Sequence, residues 1–228
     1  MRALVQFEKG EWVRFIGHLD LLRAMQRALR RSGLPVEYSQ GFNPHMLVSF
    51  ASPLPVGQSG LAELMDVAMA EPVTEAECIA ALRSATPNGL PIRRVKIVRD
   101  DHPKLMAQLR TASYMIAFDN QENSQSLLDA IPRFLQRDSI RAVRVTKSGE
   151  RPCDIRPMLH EVSVVSGLPG DVHAIAARVS FTEEQTLKPD LLIRSLAEFA
   201  EVEPPSFHVV RTGLYGERGG KPCPLIDC

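Results

Sequence analysis

The chain is 228 residues long and carries 27 Lys and Arg against 27 Asp and Glu, so its formal net charge is zero. With 44% hydrophobic and 24% charged residues it has the make-up of a folded chain of one domain or two small ones, which excludes intrinsic disorder. No apolar run reaches the length of a membrane span, and the opening stretch Met1–Trp12 lacks the apolar core and cleavage site of a secretory signal, so a cytoplasmic protein without membrane contact is expected.

In chain order, residues 2–7 read as a strand, and Trp12, Val13, Phe15 and Ile16 read as its continuation after a turn at Lys9-Gly10. From His18 the period changes: Leu19, Leu22, Met25 or Gln26, and Leu29 recur every three to four residues and predict an amphipathic helix, stopped by Gly33 and Pro35. Val36–Tyr38 and Met46–Ala51 are strand-like and flank the loop Ser39–His45; Ser52–Gly57 is a second loop, and Leu64–Met69 a further strand. Thr74 and Glu77 have capping-box spacing and open a helix through Ile79, Leu82 and Ala85, which Pro87-Asn88-Gly89 ends. Ile92–Val98 closes this half as a strand.

Asp100–Lys104 is polar and broken by proline, and places a boundary between units at residues 1–101 and 102–228. Beyond it, strands are predicted at Ala112–Phe118 and Ile140–Val145, and a helix at Ser126–Leu135, which Pro132 kinks unless it starts later. A turn follows at Lys147–Glu150, then a strand pair, Asp154–Val165 and Asp171–Phe181, around the loop Ser166–Gly170. Pro189 opens a last helix and Phe207–Tyr215 forms a last strand. This order predicts an α+β fold of two tandem ferredoxin-like (βαββαβ-type) units, with antiparallel sheets whose helices cover one face and leave the other available.

Charge is uneven along the chain. Residues 1–50 hold Arg2, Lys9, Arg14, Arg23, Arg27, Arg30 and Arg31 against Glu8, Glu11, Asp20 and Glu37, and Arg93, Arg94, Lys96 and Arg99 form a second basic run. Neutrality of the whole excludes strong non-specific nucleic-acid binding, so an anionic ligand is expected at the N-terminal half. On the helix from His18, Arg23, Arg27 and then Arg30 or Arg31 fall on one face, a row suited to backbone phosphates and equally to plain solvation. In Ser39–His45, Gln40 and Asn43 suit base edges, Phe42 or Tyr38 offers a stacking ring, and Gly41 and Pro44 shape the loop. RNA binding is therefore assigned to Arg14, Arg23, Arg27, Arg30, Arg31, Gln40, Phe42, Asn43 and His45, converging on one solvent-facing hollow. His18 and His45 are weak catalytic candidates, as general acid and base of metal-independent RNA cleavage.

No metal centre is expected. Asp20, Glu63 and Asp66 lack ligand spacing, and Cys78, Cys153, Cys223 and Cys228 read as unpaired thiols. Dinucleotide-binding and phosphate-loop glycine patterns are absent, as is a cysteine triplet for a catalytic iron–sulfur cluster.

The stretches Phe15–Arg23, Tyr38–His45 and Ser49–Gly57, with Asp154–Pro157 and Arg211–Tyr215, closely resemble the radical-SAM-linked family of uncharacterised bacterial proteins. In that family the domain is fused to a radical SAM enzyme or accompanies one. The resemblance implies such an enzyme as partner, carrying the iron–sulfur cluster and S-adenosylmethionine, while this chain carries no cofactor. The tandem outline is also similar to RNA-repeat-processing endonucleases of CRISPR systems, an analogy of fold only. Together these readings predict a non-catalytic accessory that presents RNA (tRNA or rRNA) to a radical SAM enzyme. The alternatives are a metal-independent RNA endonuclease and a pure protein-docking module.

Overall fold

The computed structural model describes residues 1–119, 121–146, 149–169 and 172–228. The predicted positions Lys147, Ser148, Gly170 and Asp171 lie outside the described residues. The chain is a mixed α+β protein with mostly antiparallel sheet and, among the described residues, five α-helices. In order the elements are β1 (Arg2–Lys9), α1 (His18–Ser32), β2 (Val48–Phe50), β3 (Ser59–Ala68), α2 (Glu75–Ala85), β4 (Ile92–Val98), α3 (Leu105–Gln108), β5 (Thr111–Phe118), α4 (Gln121–Leu135), β6 (Arg141–Thr146) and β7 (Gly149–Asp154). They continue with β8 (Leu159–Val165), β9 (Ala174–Ser180), α5 (Pro189–Ala200), β10 (Phe207–Arg218) and β11 (Lys221–Pro224). Two compact units result: Met1–Leu109 with Arg211–Cys228, and Arg110–Val210. The last stretch of chain therefore packs with the first unit, whereas a boundary drawn along the sequence groups it with the second.

In the first unit β1 lies between β4 and β3, β2 pairs with β3, and β11 pairs with the end of β10. The registers Ala3↔Val67 and Val5↔Met65 put these four side chains on the face that receives α1 and α2. The helix α1 forms because Leu21, Met25, Ala28 and Leu29 make one apolar stripe, all buried, and it ends where Gly33 takes a left-handed φ of 69°. The capping box at α2 is complete: Thr74 Oγ1 accepts the Glu77 amide, and the Glu77 carboxylate accepts the Thr74 amide at 2.8 Å.

Two expectations are corrected here. Trp12–Ile16 is not a strand: Glu11–Val13 forms a single 3-10 turn. The Lys9 ammonium donates to the Arg14 carbonyl, the Gly10 amide to the Gly89 carbonyl and the Gly57 amide to the Arg14 carbonyl, which bends the segment away from any strand partner. Nor is the second sheet face open in this unit. Arg2, Leu4, Leu64 and Asp66, which alternate with the helix-facing residues, are all buried, and the carbonyls of His102 and Pro103 reach the Arg2 guanidinium there.

In the second unit β9 lies between β5 and β8, with Ile116↔Ile175 and Val164↔Ile175 in register, and β6 and β7 form a separate hairpin. Helices α4 and α5 meet through an edge-on contact of Phe134 and Phe199 at 5.4 Å. Pro132 is accommodated inside the last turn of α4, which starts earlier than its spacing suggested. The Asp154–Pro157 stretch is a staple: the Asp154 carboxylate accepts the amides of Ile140 and Arg156, and the Arg156 side chain donates to the carbonyls of Leu135 and Arg137.

Candidate nucleic-acid interface

The Ser39–His45 loop is the tip of a narrow arm in the first unit. Bridges Val36↔Met69 and Tyr38↔Met46 set its base, and the Ser39 amide donates to the His45 carbonyl at 2.9 Å to close it. Ser39 Oγ accepts the His45 amide and lies 2.8 Å from His45 Nδ1, which fixes the ring. Gly41 turns the chain at a φ of 125°, open only to glycine without strain. Beyond this closure Gln40, Phe42 and Asn43 are exposed, and the two side-chain amides make no hydrogen bond among the described residues. A fully exposed phenyl ring between two uncommitted amides offers one stacking face and two donor–acceptor pairs.

Beneath the arm lies a hollow of about 280 Å³ whose walls include Arg2, His45, Ser49, Asp66 and Lys104. Arg2 Nη1 stands 3.1 Å from Asp66 Oδ2, with the two side chains 3% and 4% exposed. Their geometry forms no hydrogen bond, so these two atoms and Arg2 Nε remain buried without a hydrogen-bonding partner among the described residues. Burial pushes the Asp66 carboxyl above its ordinary range, against the pull of Arg2, Lys104 and His102. Lys104 and His45 are exposed at the rim, where the Lys104 ammonium adds positive charge beside the Arg2–Asp66 pair.

The arginine row lies elsewhere in the unit. Arg23, Arg27 and Arg30 occupy the outer face of α1, with Arg23 paired to Asp20 at 3.2 Å. Since Arg2 and Asp66 alternate with the residues that pack on α1, the hollow and α1 lie on opposite faces of the sheet, and no α1 arginine lines the hollow. Arg31 donates to the Ala85 carbonyl, and Arg14 pairs with Glu11 while its guanidinium covers Phe15 at 4.6 Å. The structure thus brings Gln40, Phe42, Asn43 and His45 together and leaves the arginines as a separate row. His18 packs edge-on against Phe50 at 5.5 Å on the helix side, while His45 borders the hollow on the other.

Sequence reasoning missed Arg2, Ser49 and Lys104 as wall residues, and weighed Asp66 only as a metal ligand. A usable signal was present for one of them: Arg2 heads a strand, Arg2–Phe7, whose remaining residues are apolar apart from Gln6. The apolar side chains of Trp12, Phe15, Leu19 and Val56 are each exposed, which their strand-like and helical spacing gave no sign of.

The loop Ser52–Gly57 has a different role. Arg211 donates from Nε to Glu63 Oε1 at 2.8 Å and from Nη2 to Glu63 Oε2, and its guanidinium also reaches the hydroxyl and carbonyl of Ser52. The Lys9 ammonium donates to the carbonyls of Arg14 and Pro55. Burial lowers the Lys9 pKa, opposed by Glu63 and assisted by Arg211. Lys9, Glu63 and Arg211 are almost wholly inaccessible, so this cluster ties the loop, β1, β3 and β10 together within the unit.

Among the described residues, no group of three or more His, Cys, Asp or Glu side chains is placed to hold a metal ion. The Cys228 thiol, pushed up to about 11 chiefly by burial, lies 3.2 Å from the Cys223 carbonyl. No helix is long and apolar enough to cross a membrane among the described residues. Compared with known proteins, residues 2–189 match the model of a family described as "Uncharacterized protein conserved in bacteria (DUF2344)". No curated protein matches the chain.

Proposed function

The chain belongs to that bacterial family, DUF2344, and we propose that it is a non-catalytic RNA-binding protein that presents a single-stranded segment of tRNA or rRNA to a radical SAM enzyme in the cytoplasm. The observation that carries the RNA reading is the arm tip: Gln40, Phe42 and Asn43 are exposed and uncommitted on a loop that Ser39 and His45 hold rigid, directly above a hollow rimmed by Lys104 and His45. A base stacks on Phe42 and offers its edge to the amides, while the Lys104 ammonium at the rim takes the adjoining phosphate. Arg23, Arg27 and Arg30 serve phosphates further along the strand.

The enzyme partner rests on the motif resemblance, and it supplies the iron–sulfur cluster and S-adenosylmethionine. The order β4-β1-β3-β2 supports reading the first unit as ferredoxin-like. Separation of His18 from His45 by the sheet favours presentation over paired-histidine cleavage.

Equilibrium binding of a single-stranded RNA across a range of salt concentrations tests the proposal. Micromolar affinity is expected, and Arg27→Ala lowers the salt slope by about 0.7, one phosphate contact on a single strand. No micromolar binding, or binding indifferent to salt, contradicts it. A docking module is the second reading, favoured by the exposed apolar side chains of Trp12, Phe15, Leu19 and Val56, of which Trp12 is 96% exposed. Capture of the enzyme by nuclease-treated protein that retains no RNA supports that reading instead.

A further inference from the structure

A second hollow, of about 500 Å³, lies between β6 and the start of α5, and its lining among the described residues belongs to the second unit. Arg144, Lys188 and Arg194 line it, with Asp190 as the carboxylate among the lining residues and with Val145 and Leu191 as apolar wall. None of the three cations has a carboxylate within ion-pairing distance among the described residues, although several of the chain's other basic side chains are paired. Arg144 is held in place by donating to the Thr186 carbonyl at 2.8 Å, which positions the guanidinium without neutralising it. The α5 N-terminal dipole adds to the field of these side chains.

Three cations around one hollow, Arg144 held and Lys188 and Arg194 exposed, outnumber the Asp190 carboxylate and repel one another, and an anion that enters removes that repulsion. A carboxylate ligand presents a single charge, whereas a phosphate group presents two and several acceptor oxygens to the forked guanidiniums. The apolar wall of Val145 and Leu191 suits a ligand with a flat or apolar body beside its charge, and the volume is that of a small-molecule site.

We propose that this hollow binds a nucleotide, its phosphate held by Arg144, Lys188 and Arg194 and its base lying on Val145 and Leu191. The site is in the second unit and stands whether or not the arm of the first unit binds RNA. Two sources supply the same chemistry, a free nucleotide or a nucleotide unit within an RNA strand.

Calorimetric titration of the whole chain with ADP, pyrophosphate and adenosine tests it. ADP binds most tightly, pyrophosphate binds more weakly, and adenosine binds at least about tenfold more weakly than ADP. The double variant Lys188→Gln/Arg194→Gln, both exposed positions, keeps its circular dichroism and unfolding temperature and loses about tenfold or more in ADP affinity. Amide NMR shifts on ADP addition fall on Arg144–Val145 and Lys188–Arg194. Competition by a short RNA without terminal phosphates assigns the nucleotide to a strand; failure to compete assigns it to a free ligand. No heat from ADP or pyrophosphate at millimolar concentration, or equal affinity in the double variant, overturns the proposal.

Discussion

Two loops of the first unit, Ser39–His45 and Ser52–Gly57, draw on the same small residues, glycine and proline, and put them to opposite uses. Around Ser52–Gly57 the polar groups turn inward: Ser52 meets Arg211, the Pro55 carbonyl accepts from Lys9, and Glu63 closes the cluster. Around Ser39–His45 only Ser39 and His45 are used to close the loop, and Gln40, Phe42 and Asn43 face solvent. A recognisable motif therefore marks a constraint without saying which kind. Burial separates the two: an inward charged cluster reports on stability, an outward rigid tip reports on binding.

The comparison breaks if the inward cluster proves dispensable. Arg211→Met leaves Glu63 buried and unpaired and is expected to cost about 3–5 kcal/mol in urea unfolding, with partial recovery on adding Glu63→Gln. At the outward tip, Phe42→Ala lowers RNA affinity by about 1–3 kcal/mol and leaves unfolding stability within about 0.5 kcal/mol. A control sharpens the contrast within the same unit: Thr74→Ala removes the α2 cap, costs about 1 kcal/mol of stability and leaves RNA affinity unchanged. Smaller still, Lys104→Ala is expected to reduce the salt slope of RNA binding by about 0.7 with stability intact, as measured by titration at several ionic strengths.

The last effect is one of pH, in the second unit. The amides of Arg156 and Ile140 hold the Asp154 carboxyl below the usual aspartate range. Its stabilising contribution is therefore complete above that range and is lost as pH falls through the lowered value. Asp154→Asn is expected to flatten the acid limb of the unfolding profile and leave neutral-pH RNA binding unchanged.

Much of the local structure was legible in the sequence because it depends on neighbours. His18–Ser32 followed from its apolar stripe and Gly33, Thr74 and Glu77 predicted a capping box that is present, and Pro189 marked the start of α5. What escaped depends on partners distant in the chain. Trp12–Ile16 has strand-forming residues, yet Lys9 and Gly57 hold the Arg14 carbonyl and curl it. Arg2 and Asp66 meet only through the β1–β3 register, so neither their pairing nor the covered sheet face could be read locally. The tip itself was visible as a motif; that it stands apart from the α1 arginines depends on which face each strand residue takes, a matter of register.

Photo-crosslinking of single-stranded RNA to the intact protein, with the joined peptide identified by mass spectrometry, reaches the RNA-binding proposal most directly. The account predicts adducts on the segment containing Gln40, Phe42 and Asn43, lost in Phe42→Ala while the fold persists. Adducts confined to other surfaces, or no adduct where binding is measured, would contradict it.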